Sequence, residues 1–258
     1  RNSVSLCHDP CVRHPNEQGT GLMDELVNRT SGFCRGPLLP HLKLTPLVRA
    51  RAWLDLMLAD HGVLRLVYMN RHRVSDRVWR SAQPTPHGLA REKRRGIRTI
   101  LCVRGSFPFR PWPLEQEACH RHGLDLYKVH LRGREAAEQH ELLALTDLLA
   151  SAQYPMLIHC KSGADRSGFV AAVYLLTMEG RSAEEALRQL SLRYGHLRAS
   201  RAGILREVIT TYRDEGEARG LGFVDWVKTG YNRDAVIASF KARPFSTALA
   251  DQILRREG

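Results

Sequence analysis

From residue 78 onward, apolar positions come in short runs that switch between the period of a strand and the period of a helix. Residues 78–81 read as a strand broken by Pro84-Thr85-Pro86, and 88–95 as a helix stopped by Gly96. The β-branched run 97–103 suits a buried strand, 114–122 a helix closed by Gly123, and the alternating 124–131 another strand. A polar loop, 132–138, precedes a helix over 140–150, and Pro155 introduces the strand 156–159. Residues 169–178, apolar nearly all round, form a buried helix. Helices follow over 182–194 and 201–214, the first opened by a Ser182/Glu185 capping box. Strands alternating with helices predict an α/β fold, a central mostly parallel sheet flanked by helices, with the loop after His159 at the carboxyl end of a central strand.

Upstream, from Thr45 to about Asn70, Leu47, Val48, Trp53, Leu54, Leu56, Met57, Leu58, Val63, Leu64, Leu66 and Val67 recur at helical spacing among arginines. A helix packed on the core and an interfacial helix on an anionic membrane both fit that pattern. Residues 1–44 lack periodicity and are rich in Gly, Pro, Asn and His, the composition of a leader or a disordered segment. The expected organisation is therefore one domain over 45–215, its N-terminal helix included, and a helical C-terminal extension over 216–258.

Composition narrows the partners. Thirty-nine Lys and Arg against 27 Asp and Glu leave a formal charge of +12, which favours anionic partners. No helix-turn-helix, zinc-finger or aromatic RNA-binding signature accompanies that charge, so nucleic acid is not the expected partner. No apolar run of about 18 residues predicts a spanning helix. The six cysteines (7, 11, 34, 102, 119 and 160) are too scattered for a disulfide framework, and Cys102 and Cys119 read as small buried hydrophobes. Cys7 and Cys11 with His8 and His14 lack a second ligand pair at a metal-like spacing, so neither metal nor cofactor is expected.

The chemistry lies in His159-Cys160-Lys161-Ser162-Gly163-Ala164-Asp165-Arg166-Ser167-Gly168. A loop leaving a strand and entering a helix turns several N–H groups inward, and the helix dipole adds positive potential. Residues Lys161, Ser162, Gly163 and Ala164 form the cradle; Gly163 permits the tight bend, and Gly168 lets the helix start close against its neighbours. Cys160 at its foot is the candidate nucleophile, held as thiolate by that field. Arg166 can clamp a phosphoryl group through two parallel N–H···O bonds. Ser167 can hydrogen-bond the thiolate and ease its departure, and His159 is expected to orient the loop by bonding backbone. A reactive thiolate must stay reduced, which points to the cytoplasm, at the inner membrane if the basic helix binds lipid.

The stretch His159-Cys160-x5-Arg166-Ser167-Gly168 resembles the signature of the protein tyrosine and dual-specificity phosphatase superfamily. Residues Val78-Trp79-Arg80-Ser81-Ala82-Gln83-Pro84 are similar to a segment that opens many bacterial members, and the likeness spans about residues 70–215. The resemblance implies a compact dual-specificity-type domain and a two-step reaction through a phosphocysteine, with no metal. Typical members of that family carry a general-acid Asp on a mobile loop about 30 residues before the nucleophile, yet here 132–138 contains none. Asp165, inside the loop, is placed as in myotubularin-type lipid phosphatases and is the favoured proton donor. Glu135, near the position of the missing Asp, is the other candidate. The alternative for Asp165 is a loop-bracing carboxylate bonded to backbone amides.

Lys161 resembles the second residue of lipid-phosphate phosphatase loops, and the alternative is an exposed lysine that adds only long-range attraction. With Asp165 and the positive charge, the expected substrate is a phosphorylated protein or an anionic lipid, the lipid or a polyphosphorylated molecule being slightly preferred. Arg104, Arg110, Arg132 and Arg134 fall on loops at the same sheet end and read as a solvated basic rim. Two rival readings stand beside catalysis. A phosphate-binding module that kept its cradle needs no acid, and a rhodanese-like sulfurtransferase would have a loop one residue shorter.

Overall fold

The computed structural model describes residues 33–34, 44–59, 68–104 and 111–241. Six strands form one sheet: β1 (Phe33–Cys34), β2 (His72–Arg73), β3 (Val78–Ala82), β4 (Thr99–Cys102), β5 (Asp125–Val129) and β6 (Met156–Cys160), in the order β1-β5-β4-β6-β3-β2. The inner four are parallel, with β6 between β4 and β3, and the two-residue outer strands are antiparallel. The predicted α/β class and mostly parallel sheet are what the structure shows. Parallel strands end together, so the loops after Ala82, Cys102, Val129 and Cys160 converge on one edge.

The pleat sorts side chains between two cores. On one face Ile100, Cys102 and Leu157 pack with Leu89 and Cys119 of the helices α2 (Pro86–Arg94) and α3 (Trp112–His122). On the other, Leu101, Met156, Ile158 and Cys160 meet a larger cluster built on α4 (Gln139–Ser151) and α5 (Arg166–Met178). Helix α5 is buried from Ser167 to Leu176, as its all-round apolar sequence predicts. Truncating Phe169, fully buried within it, costs about 3–5 kcal/mol by large-to-small core precedent. Thr85 caps α2 by accepting from the Gly88 amide, and Glu138 and Glu141 form a reciprocal box at the start of α4.

Some expectations change. The helix predicted over 182–194 keeps its Ser182/Glu185 box but stops as α6 (Ala183–Leu187), followed by a 3-10 turn, Leu192–Tyr194. The cause is competition for carbonyls: Arg206 Nη1 bonds Leu187 and Leu190, and Arg80 bonds Gln189, so the helical ladder is not extended. The upstream helix covers α1 (Pro46–Leu54) and a π turn, Asp55–Ala59; its further extent lies outside the described residues. Ala52 and Leu56 pack on Leu114, whereas Leu47, Leu54 and Leu58 face solvent. Among residues 1–44, Phe33–Cys34 pair with Lys128 and Val129 of β5. Cys7, Cys11, His8 and His14 lie outside the described residues.

After α7 (Gly203–Thr211) the chain adds α8 (Phe223–Thr229) and α9 (Arg233–Lys241), whose Trp226, Val227 and Val236 are buried in the same core as Phe169 and Cys160. Among the described residues no helix is long and apolar enough to cross a membrane.

Candidate active site

Cys160 ends β6, paired with Ala82 of β3, and is almost fully buried. The loop that follows is held open from behind by its own carbonyls. Lys161 O accepts from the Gln83 amide at 3.3 Å and Ser162 O from Asn70 Nδ2 at 3.1 Å. Gly163 O and Ala164 O both accept from Arg80 Nη2, at 2.8 and 2.7 Å. With those carbonyls turned outward, the peptide N–H groups are released to the inside, the arrangement that binds a tetrahedral oxyanion. The Gly163 amide already donates to Cys160 Sγ at 3.2 Å. Gly163 has φ +77, and a Cβ there would lie 2.5 Å from the Ala82 amide nitrogen. Only glycine fits against β3 at that point.

Arg80 has a role that is not directly legible in the sequence. It is wholly buried, donates also to Gln189 O and Oε1, and lies over the Tyr194 ring with 4.4 Å to the centroid. Burial, the largest influence, pulls its pKa down to about 10, so it stays charged at neutral pH. Asn70 shares its amide between Ser162 O and Tyr194 O, tying the loop to the turn after α6. The signals were present but indirect: a charged residue inside a strand motif, and a lone Asn with left-handed φ of 43 that only a backbone reveals.

The Cys160 thiol is pushed in both directions. Burial, the largest influence, raises its pKa; the Arg166 charge and the hydrogen bonds from Ser167 outweigh burial, while Asp165 opposes them. The net shift is downward, toward thiolate. Ser167 Oγ lies 3.6 Å from Sγ. Gly133 closes the approach on Arg166: a Cβ there would sit 3.5 Å from Arg166 Nε. The 132–138 loop thus abuts the clamp. Of the cradle, Gly163, Ala164 and Gly168 are buried, Lys161 is half-buried and Ser162 is exposed.

His159 does not bond backbone through its ring as expected. Strand parity sends Cys160 to the α5 side and His159 to the α3 side, where its Nε2 meets Glu115 Oε1 at 2.6 Å. Glu115 Oε2 accepts from Gln83 Nε2 at 2.8 Å, and Gln83 Oε1 from Arg104 Nη1 at 2.6 Å. Arg104 is therefore a buried member of this network rather than part of a solvated rim. Burial is the largest influence on His159 and opposes its charge, but Glu115, aided by Cys102, leaves its pKa well above the usual histidine value. Cys102, Glu115 and His159 bring ligand atoms within 4.8 Å of one another, a grouping these hydrogen bonds account for. Arg110 lies outside the described residues, and Arg132 and Arg134 are exposed.

The two acid candidates differ in setting. Glu135 is exposed and accepts from Arg132 Nη1 at 2.7 Å, with Arg233 at 3.5 Å. Asp165 stands at the start of α5 without capping it: its φ and ψ are helical, and its side chain makes no cap hydrogen bond. Its Oδ1 instead meets His196 Nδ1 at 2.6 Å. A cavity of about 870 Å³ shares Gln189 and Tyr194 with the shell behind the loop, but none of residues 160–166 lines it.

A cysteine of lowered pKa behind a loop whose carbonyls turn outward, with an arginine at the helix start, on a central strand of an α/β sheet, defines a domain of the cysteine-phosphatase type. The chain belongs to the family described as DSP-PTPase phosphatase fused to NAD+ kinase, whose model matches residues 67–205, more than half of it. It is 27% identical over 163 residues to the dual specificity protein phosphatase TpbA of Pseudomonas aeruginosa, in strains PAO1 and UCBPP-PA14 alike. That match takes in 60% of this chain and spans 64% of the length of those relatives. Crystal structures with a similar chain include P. aeruginosa TpbA, at 19% identity and TM-score 0.45 over 67% of this chain and 91% of that one. Another is the catalytic core of the PP-IP phosphatase Siw14 from S. cerevisiae, at 22% identity and TM-score 0.46 over 61% and 93%.

Proposed function

We propose that the chain hydrolyses phosphomonoesters through a phosphocysteine intermediate. The observation that carries this reading is the fixed outward turn of the carbonyls from Lys161 to Ala164 around a thiol whose pKa is lowered. In the first step Cys160 Sγ attacks phosphorus and the bond to the leaving oxygen breaks. Inward amides and Arg166 hold the equatorial oxygens as charge builds on them, and Asp165 gives its proton to the leaving oxygen. In the second step water attacks phosphorus, its proton returns to Asp165, and Sγ departs, stabilised by Ser167. Asp165 is favoured over Glu135 because it adjoins the clamp and caps nothing, whereas Glu135 is engaged by Arg132 and Arg233. The substrate is a phosphorylated protein or a phosphorylated lipid, and a thiolate enzyme of this kind belongs in the reducing cytoplasm.

The deciding experiment compares wild type with Cys160→Ser on p-nitrophenyl phosphate, with acid quenching to trap phosphocysteine for mass spectrometry. Turnover and a trapped adduct in wild type alone support the reading. Binding of phosphorylated ligands without turnover in either protein makes the domain a binding module, and sulfur transfer from thiosulfate makes it a sulfurtransferase. Phosphopeptide and phosphoinositide arms then separate the substrate classes.

A further inference from the structure

His196 is wholly buried, and its Nδ1 lies 2.6 Å from Asp165 Oδ1. The chain delivers it with care. The 3-10 turn Leu192–Tyr194 closes on Gly195 at φ +81, and the His196 amide donates back to Ser191 O at 3.2 Å. Tyr194 O accepts from Asn70 Nδ2 at 2.9 Å, and the same amide group holds Ser162 O. A Cβ on Gly195 would lie 3.7 Å from the Ala164 side chain. The turn carrying His196 is thus tied to the phosphate loop through Asn70 and passes close by Ala164, so the imidazole and the loop share one frame.

Hydrogen-bond satisfaction fixes the tautomer. Nε2 of His196 is buried without a hydrogen-bond partner among the described residues. A proton there would be a buried donor with no acceptor, in the Nε2–H tautomer and in a doubly protonated ring alike. The neutral ring with its proton on Nδ1 satisfies the one contact the site offers. Asp165 Oδ1 is then an acceptor, which leaves Oδ2 to carry the transferable proton on a side chain that is 30% exposed.

We propose that His196 is a positioning residue for proton transfer, fixing the Asp165 carboxyl through Nδ1–H so that Oδ2 serves as acid and then as base. The inference rests on the reading of Asp165 as the proton donor. As the bond from phosphorus to the leaving oxygen breaks, the proton on Oδ2 passes to that oxygen and the new carboxylate keeps its bond from Nδ1–H. When water attacks the phosphocysteine, Oδ2 takes the water's proton and the Sγ–P bond breaks, restoring the starting state. His196 itself exchanges no proton. Holding a reacting group in place contributes in the same way as holding a substrate, and small misplacements are costly.

The test is a leaving-group series from p-nitrophenyl phosphate through phenyl phosphate to an alkyl phosphate, read as kcat/KM for wild type, Asp165→Asn, His196→Leu, His196→Asn and the double variant D165N/H196L. Asparagine places an amide donor near the Nδ1 position, leucine places none. His196→Leu is expected to lose only a few-fold on p-nitrophenyl phosphate and roughly a hundredfold on the alkyl phosphate. His196→Asn should recover most of that loss, and the double variant should be no worse than Asp165→Asn alone. Should His196→Leu fail to fold, His196→Gln, whose amide sits near Nε2 instead, replaces it and should show the same deficit relative to His196→Asn. A His196 deficit equal on every leaving group, or one that multiplies with that of Asp165→Asn, overturns the role of His196 while leaving Asp165 intact. An Asp165→Asn deficit equal on every leaving group overturns the acid assignment and the His196 role with it.

Discussion

Arg80 reaches from β3 to the back of the phosphate loop and holds the carbonyl of Ala164 at 2.7 Å, with Gly163 at 2.8 Å from the same nitrogen. A cation on the outside of an anion cradle does two jobs there. It turns the carbonyls of Gly163 and Ala164 away from Cys160, and it adds positive potential without entering the space above the thiol. Lysine can offer a charge at that position but not the guanidinium fork that spans both carbonyls and Gln189. Arg80→Lys is therefore expected to weaken inhibition by orthovanadate about tenfold to a hundredfold, since hydrogen bonds to charged groups contribute about 1.5–3 kcal/mol. Vanadate titration checks this; unchanged inhibition would mean the loop holds its shape without Arg80.

The Cys160 thiolate should respond to its two supports separately. Arg166 and Ser167 both lower its pKa against burial, so Arg166→Ala and Ser167→Ala should each move the midpoint of iodoacetamide labelling to higher pH. A thiol whose folded pKa lies below its unfolded value stabilises the fold above the unfolded pKa, and that contribution is lost as pH falls through the folded one. Arg166→Ala should flatten this dependence in denaturant titrations run on the alkaline side of neutral. A labelling midpoint that stays put in both variants would remove the electrostatic account of the nucleophile.

Glu115 and His159 form the buried pair beneath the strand that carries Cys160. Replacing Glu115 by leucine leaves the imidazole without its carboxylate and Gln83 without its acceptor, a loss of roughly 3–5 kcal/mol for a broken buried pair. The folded pKa of His159 is raised, so its ionic contribution is complete below the unfolded value of about 6.5 and fades as pH rises through the folded value. The stability gap between wild type and Glu115→Gln should accordingly narrow as pH rises from about 6.5 into the alkaline range. Urea titrations at both ends measure it, and a constant gap would mean that the pair is neutral in the folded state.

Local patterns made the sheet and the run from His159 to Gly168 readable, because strand, loop and helix are contiguous and each announces itself by period or by glycine. The shell around the loop is not contiguous. Asn70, Arg80 and His196 come from three separate stretches of chain, and only the fold brings them to residues 162–165. The His159 ring meets Glu115 rather than backbone, and strand parity holds the reason. If Cys160 faces the helix that follows it, its neighbour must face the opposite layer, where Glu115 waits on α3. The break after α6 was hidden for a related reason: the arginines that take its carbonyls are Arg80 and Arg206, far along the chain.

The helices beyond residue 215 bear on where the domain ends. Trp226 is fully buried against Tyr212 and Phe223, and Gly216 lies so close that a Cβ would fall 2.7 Å from the indole. Its cluster is continuous with Phe169 and Val173 of α5, the helix that begins at Arg166. Gln139 at the start of α4 also donates to Val227 O at 2.7 Å. We infer that the segment 216–241 is an integral layer of the catalytic domain rather than an appendage. Trp226→Ala should then cost about 3–5 kcal/mol and lower the single unfolding midpoint of the whole domain, with the fluorescence of the remaining tryptophans and the loss of activity moving together. Two separated transitions, with activity surviving the first, would show that α8 and α9 fold apart from the site and would restore a boundary near residue 215.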